Sequence, residues 1–188
     1  MSWSLPSRRE AWQRLKAAQP PAWVLRHCLA VEALAVAMAM QAREKGLDVD
    51  VDVVARGALL HDIGRSVTQD LHHAQVGADL LRQPPPWPEA VVRIVETHTG
   101  AGVLPDEAAA AGLPARDYVP RTLAERIVAH ADNLYAGDKR QLLEAVVAKY
   151  AAQGLDAASR RIAKLHAALG RELGCDLDAL ESASLPAP

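Results

Sequence analysis

The sequence predicts an all-α protein. Alanine makes up about a fifth of the chain, isoleucine is scarce and phenylalanine is absent, a composition that favours helix over sheet. Apolar residues recur at helical spacing in segment after segment, and Gly, Pro and capping residues stand where those segments should start and stop. With 188 residues and no internal repeat or composition shift, the chain is long enough for one sizeable domain.

Ser7-Arg8-Arg9-Glu10 has the spacing of a capping box and opens a first amphipathic helix that ends near Ala18. Pro20-Pro21 breaks it and starts a second helix, from about Ala22 to Lys45, stopped by Gly46. Leu29, Val31, Leu34, Val36 and Met38 make that helix apolar on most sides, so it is expected to cross the core. Asp50 or Asp52 can cap a third helix over Val53–Asp62, which Gly64 ends. His73 to Gln83 reads as a fourth, closed by Pro84-Pro85-Pro86, and Pro88-Glu89 starts a fifth that runs out at Gly100.

Residues 101–120 are punctuated by Gly and Pro around a short Ala-rich helix, an excursion from the bundle. Thr122-Leu123-Ala124-Glu125 is a second capping box, leading into a helix that reaches Tyr135. Two amphipathic segments follow, 138–153 and 156–172, separated by Gly154, and the tail 184–188 is expected to lack order.

Composition excludes several classes of function. The 21 Lys and Arg against 23 Asp and Glu leave a net charge of −2, without the basic footprint of a nucleic-acid binder. Cys28 and Cys175 cannot build a disulfide framework and read as reduced. The apolar run Leu29–Met40 contains Glu32 and is shorter than the ~20 residues a bilayer requires. The first residues lack the apolar stretch of a secretory signal, so no membrane partner and a cytoplasmic location are expected. Glycine-rich phosphate loops, Ser/His/Asp triads and Cys/His nucleophile signatures are not evident, and Trp3, Trp12, Trp23 and Trp87 are scattered like packing residues.

The chemistry is in the histidines. His61-Asp62 alone carries little, because chance supplies about half of one such pair in a chain of this composition. Its companions matter more. His27 lies on the apolar second helix, and Asp132 directly follows the apolar stretch Ile127–Ala131 of a later one. A buried, isolated carboxylate costs several kcal/mol unless it is paired or bound to a metal. Three core-facing helices that each carry a His or Asp therefore want a common partner. Two imidazoles and two carboxylates suit a divalent transition metal with positions left open for water and substrate.

His27 in Leu25-Arg26-His27-Cys28-Leu29, the doublet in His61-Asp62-Ile63-Gly64, and Asp132 in His130-Ala131-Asp132-Asn133 stand in an order that resembles the HD-domain superfamily of metal-dependent phosphohydrolases. The doublet has the HDIG form. The resemblance covers about residues 22–136, and His73-Ala74-Gln75-Val76-Gly77 also resembles the helix that follows the doublet in the HDIG subgroup. It implies an HD bundle of about seven to nine helices. Residues 1–21 would form an N-terminal helix and linker, 22–136 the HD core and 137–183 helices packed on the same domain.

It further implies that His27, His61, Asp62 and Asp132 hold one metal, and that His73 and His98 are the positions at which binuclear relatives hold a second. Two departures from the family pattern stand out. His98-Thr99 replaces the His-His pair of several binuclear subgroups, and Gly64 and Arg65 stand where some HD nucleotidases carry a catalytic Glu. The nucleophile is then expected to be water activated by the metal itself.

Among neighbours of the doublet, Arg65 is a candidate catalytic and substrate-binding residue, able to hold a phosphate bidentately. Lys139, and Arg116 and Tyr118 in the excursion, are further candidate substrate contacts; the excursion reads either as a lid or as a packing insert. His72 is the rival of His73, while His130 reads as a supporting or exposed residue and His166 as a surface one.

The function expected from this resemblance is hydrolysis of a phosphomonoester or phosphodiester, in a nucleotide or another small phosphorylated molecule. The expected cofactor is one or two divalent metals from among Mn, Fe, Co, Ni and Zn. Two alternatives keep the fold: an HD-type di-iron oxygenase with the same ligands, and a non-catalytic module that binds a ligand in the pocket.

Overall fold

The computed structural model describes residues 4–188, so Trp3 lies outside the described residues. Among these are nine α-helices and one small antiparallel pair of strands. The first half holds α1 (Arg8–Ala17), α2 (Ala22–Glu44), α3 (Val51–Leu60), α4 (His73–Arg82) and α5 (Glu89–Thr97). Then come α6 (Pro105–Ala110), α7 (Leu123–Asn133), β1 (Tyr135–Ala136), β2 (Lys139–Arg140), α8 (Leu143–Ala152) and α9 (Asp156–Leu173). A short 3-10 turn, Ile63–Ser66, follows α3.

The all-α expectation is met. Length and composition would let α2 cross a membrane, but its apolar faces are covered by α3, α7 and α9. One cluster packs Leu34 and Met38 of α2 against Ile127, Leu134, Ile162 and Leu169. A second packs Leu15, Cys28, Leu59, Leu60, Ile63 and Leu81.

The polar residue that interrupts α2, Glu32, is fully buried and takes Arg8 of α1 in a two-pronged pair of 2.6 and 2.8 Å. Burial raises the Glu32 carboxyl above its ordinary pKa, with Arg8 and Arg56 opposing the rise. An acid raised in this way loses stability for the fold as pH climbs through its folded-state pKa. Arg8→Ala removes the main opposing charge, so it should cost about 3 kcal/mol near neutrality. The cost should shrink at pH 5, where protonation relieves the stranded carboxylate. Equal melting deficits at pH 5 and pH 7.5 would refute this account of the pair.

Several boundaries differ from the sequence reading, each for a local reason. Ser7 and Glu10 form the first capping box in full. The second is half made: Thr122 accepts from the Glu125 N–H, but the Glu125 carboxylate accepts from the Arg121 N–H instead. Asp50, not Asp52, caps α3. That helix ends at Leu60, so the His-Asp doublet caps it rather than forming its last turn. Gly64 is needed for packing: a Cβ there would lie 2.0 Å from the carbonyl oxygen of His73 in α4.

The segment read as a helix from 138 begins only at Leu143, because β1 and β2 form a hairpin closed by Gly137-Asp138. Gly137 has φ +61°, which a two-residue hairpin loop favours. The tail, expected without order, runs back over the bundle, where the Ala183 N–H donates to the Ala33 carbonyl and Arg8 donates to Pro186.

Candidate metal centre

Five helices deliver side chains to one place. His27 comes from α2, His61-Asp62 from the end of α3, and His73 from the first turn of α4. His98 caps α5, and Asp132 lies near the end of α7. His61, Asp62, His73 and His98 are almost wholly buried, His27 is 5% exposed, and Asp132 keeps part of its surface open.

All four histidines are held in the same way. The Nδ1 atoms of His27, His61, His73 and His98 lie 2.6–2.7 Å from the carbonyl oxygens of Gly137, Ala58, Asp70 and Val95. A carbonyl can only accept, so each Nδ1 carries the hydrogen and each neutral ring turns the Nε2 lone pair inwards. His27 Nε2 and His61 Nε2 stand 3.0 Å apart, as do His73 Nε2 and His98 Nε2. Two lone pairs at that distance repel unless a cation or proton lies between them.

The carboxylates complete the pattern. Asp132 Oδ1 is 2.9 Å from His27 Nε2 and 3.6 Å from His61 Nε2. Asp62 faces both histidine pairs. Its Oδ2 lies 3.7 Å from the Nε2 atoms of His27 and His61, and its Oδ1 lies 3.1 Å from His73 and 3.5 Å from His98. That Oδ1 is buried and makes no hydrogen bond among the described residues. Donors bound about 2.1 Å from a common ion stand roughly 3.0–3.5 Å apart; the spacings of Asp62 Oδ1 with His73 and His98 fit such polyhedron edges, and those of Asp62 Oδ2 with His27 and His61 are about 0.2 Å longer. His27, His61 and Asp62 form one group able to hold a metal ion, and Asp62, His73 and His98 another.

Electrostatics favour the same reading. Burial works against charge on Asp62, but the imidazoles of His61, His73 and His98 hold its carboxyl well below the usual range. Asp132 is likewise held low, against burial, by His27 and His61. In the metal-free chain the compensating charge falls on His61. Burial opposes a proton there, yet Cys28, Asp62 and Asp132 raise its pKa well above the ordinary value. Burial, aided by His61 and His73, pushes His98 down. A divalent cation would take over the role of that proton.

The other candidates fall in different places. Arg65 lines the pocket over the cluster, with Nε 2.7 Å from Asp62 Oδ2 and its guanidinium 5.7 Å from the Trp23 ring. His72 points away, towards Asp70 on the surface. Arg116 and Tyr118 do not line this pocket. The excursion packs behind α4 and α5, where Arg116 binds the buried Glu96 at 2.7 Å and Tyr118 closes a small cluster with Ala108 and Leu113. None of its residues lines the pocket over the cluster. Lys139 is exposed on the hairpin, outside the lining. His130 is fully buried and lies 3.0 Å from His166, with burial and the charges of His166 and Arg140 lowering its pKa to about 3. The two form a separate pair between α7 and α9.

Sequence reasoning missed three features. The β1–β2 hairpin supplies the Gly137 carbonyl that orients His27. Asn133 donates to the Gly100 carbonyl at 2.8 Å, tying the end of α7 to the turn after His98. Trp23, Gln141, Val146, Lys149 and Tyr150 also line the pocket, with Val146, Lys149 and Tyr150 coming from α8. Trp23 had a readable signal, since it stands four residues before His27 and shares its helix face.

Residues 24–137 match the HD domain family. A protein of Thermoplasma volcanium named tRNA (cytidine(56)-2'-O)-methyltransferase is 49% identical over 156 residues, covering 83% of this chain and 44% of the relative. An uncharacterized protein of Methanocaldococcus jannaschii is 44% identical over 148 residues, covering 79% of this chain and 82% of the relative. The chain thus spans less than half of the first relative and most of the second. The HD domain of the L. monocytogenes phosphodiesterase PgpH, solved in complex with cyclic-di-AMP, superposes with a TM-score of 0.51 over 86% of this chain and 96% of that one. At 17% identity that likeness is one of fold.

Proposed function

The chain belongs to the HD domain family, and on that premise we propose that it is a metal-dependent phosphohydrolase of nucleotide-like phosphoesters. The observation that carries this reading is the convergence of four Nε2 atoms on the two oxygens of Asp62, one of which has no hydrogen-bond partner among the described residues. His27, His61, Asp62 and Asp132 would hold one divalent cation. His73 and His98 would hold a second, with Asp62 shared between them. Bound there, such ions supply Lewis-acid polarisation of the phosphoryl group and lower the pKa of water.

The chain's own residues do the rest. The four Nδ1 contacts lock the imidazoles, so the site is organised before the ligand arrives. Arg65, partly exposed at the pocket wall, can move from Asp62 to the phosphoryl oxygens and offset charge that develops on them.

The relatives support a nucleotide-like substrate. A match over 156 of this chain's 188 residues necessarily includes the His-Asp doublet, so the relative named for a tRNA keeps this region within a longer protein. The structural neighbour holds a cyclic dinucleotide. The balanced charge of this chain favours a small nucleotide over a long strand.

Elemental analysis of protein purified without chelator, beside His73→Ala and His98→Ala, tests the reading. Close to two metals per chain are expected, falling to about one in each variant, with phosphoester turnover that persists under nitrogen. Two irons and turnover that stops without O₂ would replace hydrolysis by oxygenation. Tight nucleotide binding with no turnover would leave a binding module.

A further inference from the structure

The cavity above the ligand cluster holds about 230 Å³. Pockets that enclose a drug-sized ligand whole run to roughly 300–1,000 Å³. A nucleotide can therefore place its phosphate and part of its sugar inside, but its base must lie on the rim. The rim has a ring ready for it. Trp23 is 39% exposed, lines the pocket, and has its ring centroid 6.3 Å from that of His27. Trp23 belongs to none of the apolar clusters of the bundle.

Two unpartnered polar groups face the same space. Thr99 Oγ1 is buried in the pocket wall with no hydrogen-bond partner among the described residues. Lys149 of α8 lines the pocket and makes no ion pair or hydrogen bond among them. Arg65, between Trp23 and Asp62, spans the indole and the ligand cluster. Indole, guanidinium, hydroxyl and ammonium together match the parts of a nucleoside phosphate: a flat base, an anionic phosphate and the hydroxyls of a ribose.

We propose that Trp23 is a specificity-determining residue that stacks the base of a nucleoside phosphate whose phosphate sits over the His-Asp cluster, in the pocket that Lys149 of α8 also lines. This rests on the phosphohydrolase reading for what happens to the phosphate, but not for the binding. Stacking on an aromatic side chain tolerates any base, so the subsite selects nucleotides over base-free sugar phosphates without choosing among bases.

The test compares AMP with ribose 5-phosphate, which lacks the base, on the full-length metal-loaded chain. Affinity is read by calorimetry and by tryptophan fluorescence in wild type, Trp23→Phe and Trp23→Ala. AMP should quench the fluorescence of wild type but not of Trp23→Phe, which isolates the signal of one indole among the four. Trp23→Ala should weaken AMP about tenfold or more, Trp23→Phe by less, and ribose 5-phosphate should bind all three alike. Equal affinity of wild type for the two probes, undetectable AMP binding, or an unchanged AMP preference in Trp23→Ala would each overturn the proposal. AMP bound through Trp23 with no nucleotide ever hydrolysed would keep the subsite and sink the phosphohydrolase reading. Sugar phosphates and nucleotides hydrolysed with equal efficiency would do the reverse.

Discussion

Asp62→Ala should empty both metal sites while leaving the bundle folded, and turnover should fall by about a thousandfold or more. The reason is geometric. Asp62 offers oxygens to both histidine pairs, Oδ2 towards His27 and His61 and Oδ1 towards His73 and His98. The contribution of a catalytic cation amounts to several kcal/mol of barrier, which corresponds to the stated loss. The fold should survive because the helices that carry the cluster are held by two apolar cores of which Asp62 is no part. Metal content, circular dichroism and turnover on one preparation check all three statements. A variant that keeps its metal and works within tenfold of wild type would remove Asp62 from the centre of the site.

Gly64→Ala should be the most damaging single methyl that can be added near the site. Its Cβ would stand 2.0 Å from His73 O, 2.6 Å from Gly77 N and 2.9 Å from His73 C. All three are backbone atoms of α4 and cannot rotate aside, so the 3-10 turn and α4 must part. Overpacking of a core typically costs 1–3 kcal/mol, and a backbone clash belongs at or beyond the upper end of about 3. For a chain of this size that lowers Tm by roughly 6–12 °C.

Gly57→Ala is the control. Its Cβ would also meet atoms at 2.6–3.0 Å, but these belong to the Ile94 side chain and not to the backbone, so the two helices need not part to the same extent. The Gly64 variant should melt lower than the Gly57 variant, and it should lose metal at His73 and His98 first, because α4 carries His73. A Gly64 variant as stable as the Gly57 one would show that α4 can move away at little cost.

The helices themselves were legible because their signals are local. Ser7, Asp50 and Thr122 each satisfy backbone N–H groups two or three residues ahead, and a side chain that acts over one turn can be read from one turn of sequence. His27, His61, Asp62 and Asp132 were legible as a set because each lies in or at the end of an apolar helix, an arrangement that is costly unless something binds it, whereas His73 and His98 joined them only through the resemblance to the HD superfamily. Where the reading missed, it missed at junctions. Gly137-Asp138 is a local turn signal, but nothing in it says that the Gly137 carbonyl reaches His27, 110 residues earlier. Arg116 and Tyr118 follow the cluster closely in sequence, but a buried carboxylate, Glu96, draws Arg116 to the far side of α5.

The sequence by itself determined the helical class, the caps and breaks of most helices, and the His and Asp residues that need a shared partner. Only the tertiary structure decided which nitrogen of each histidine faces inwards, that Asp62 looks towards both pairs, and that Trp23 of α2 and Lys149 of α8 line one pocket. Capping and periodicity act within a few residues, and so they are written in the order of the chain. The site is made by approaches between helices tens of residues apart, and those depend on how two apolar cores pack.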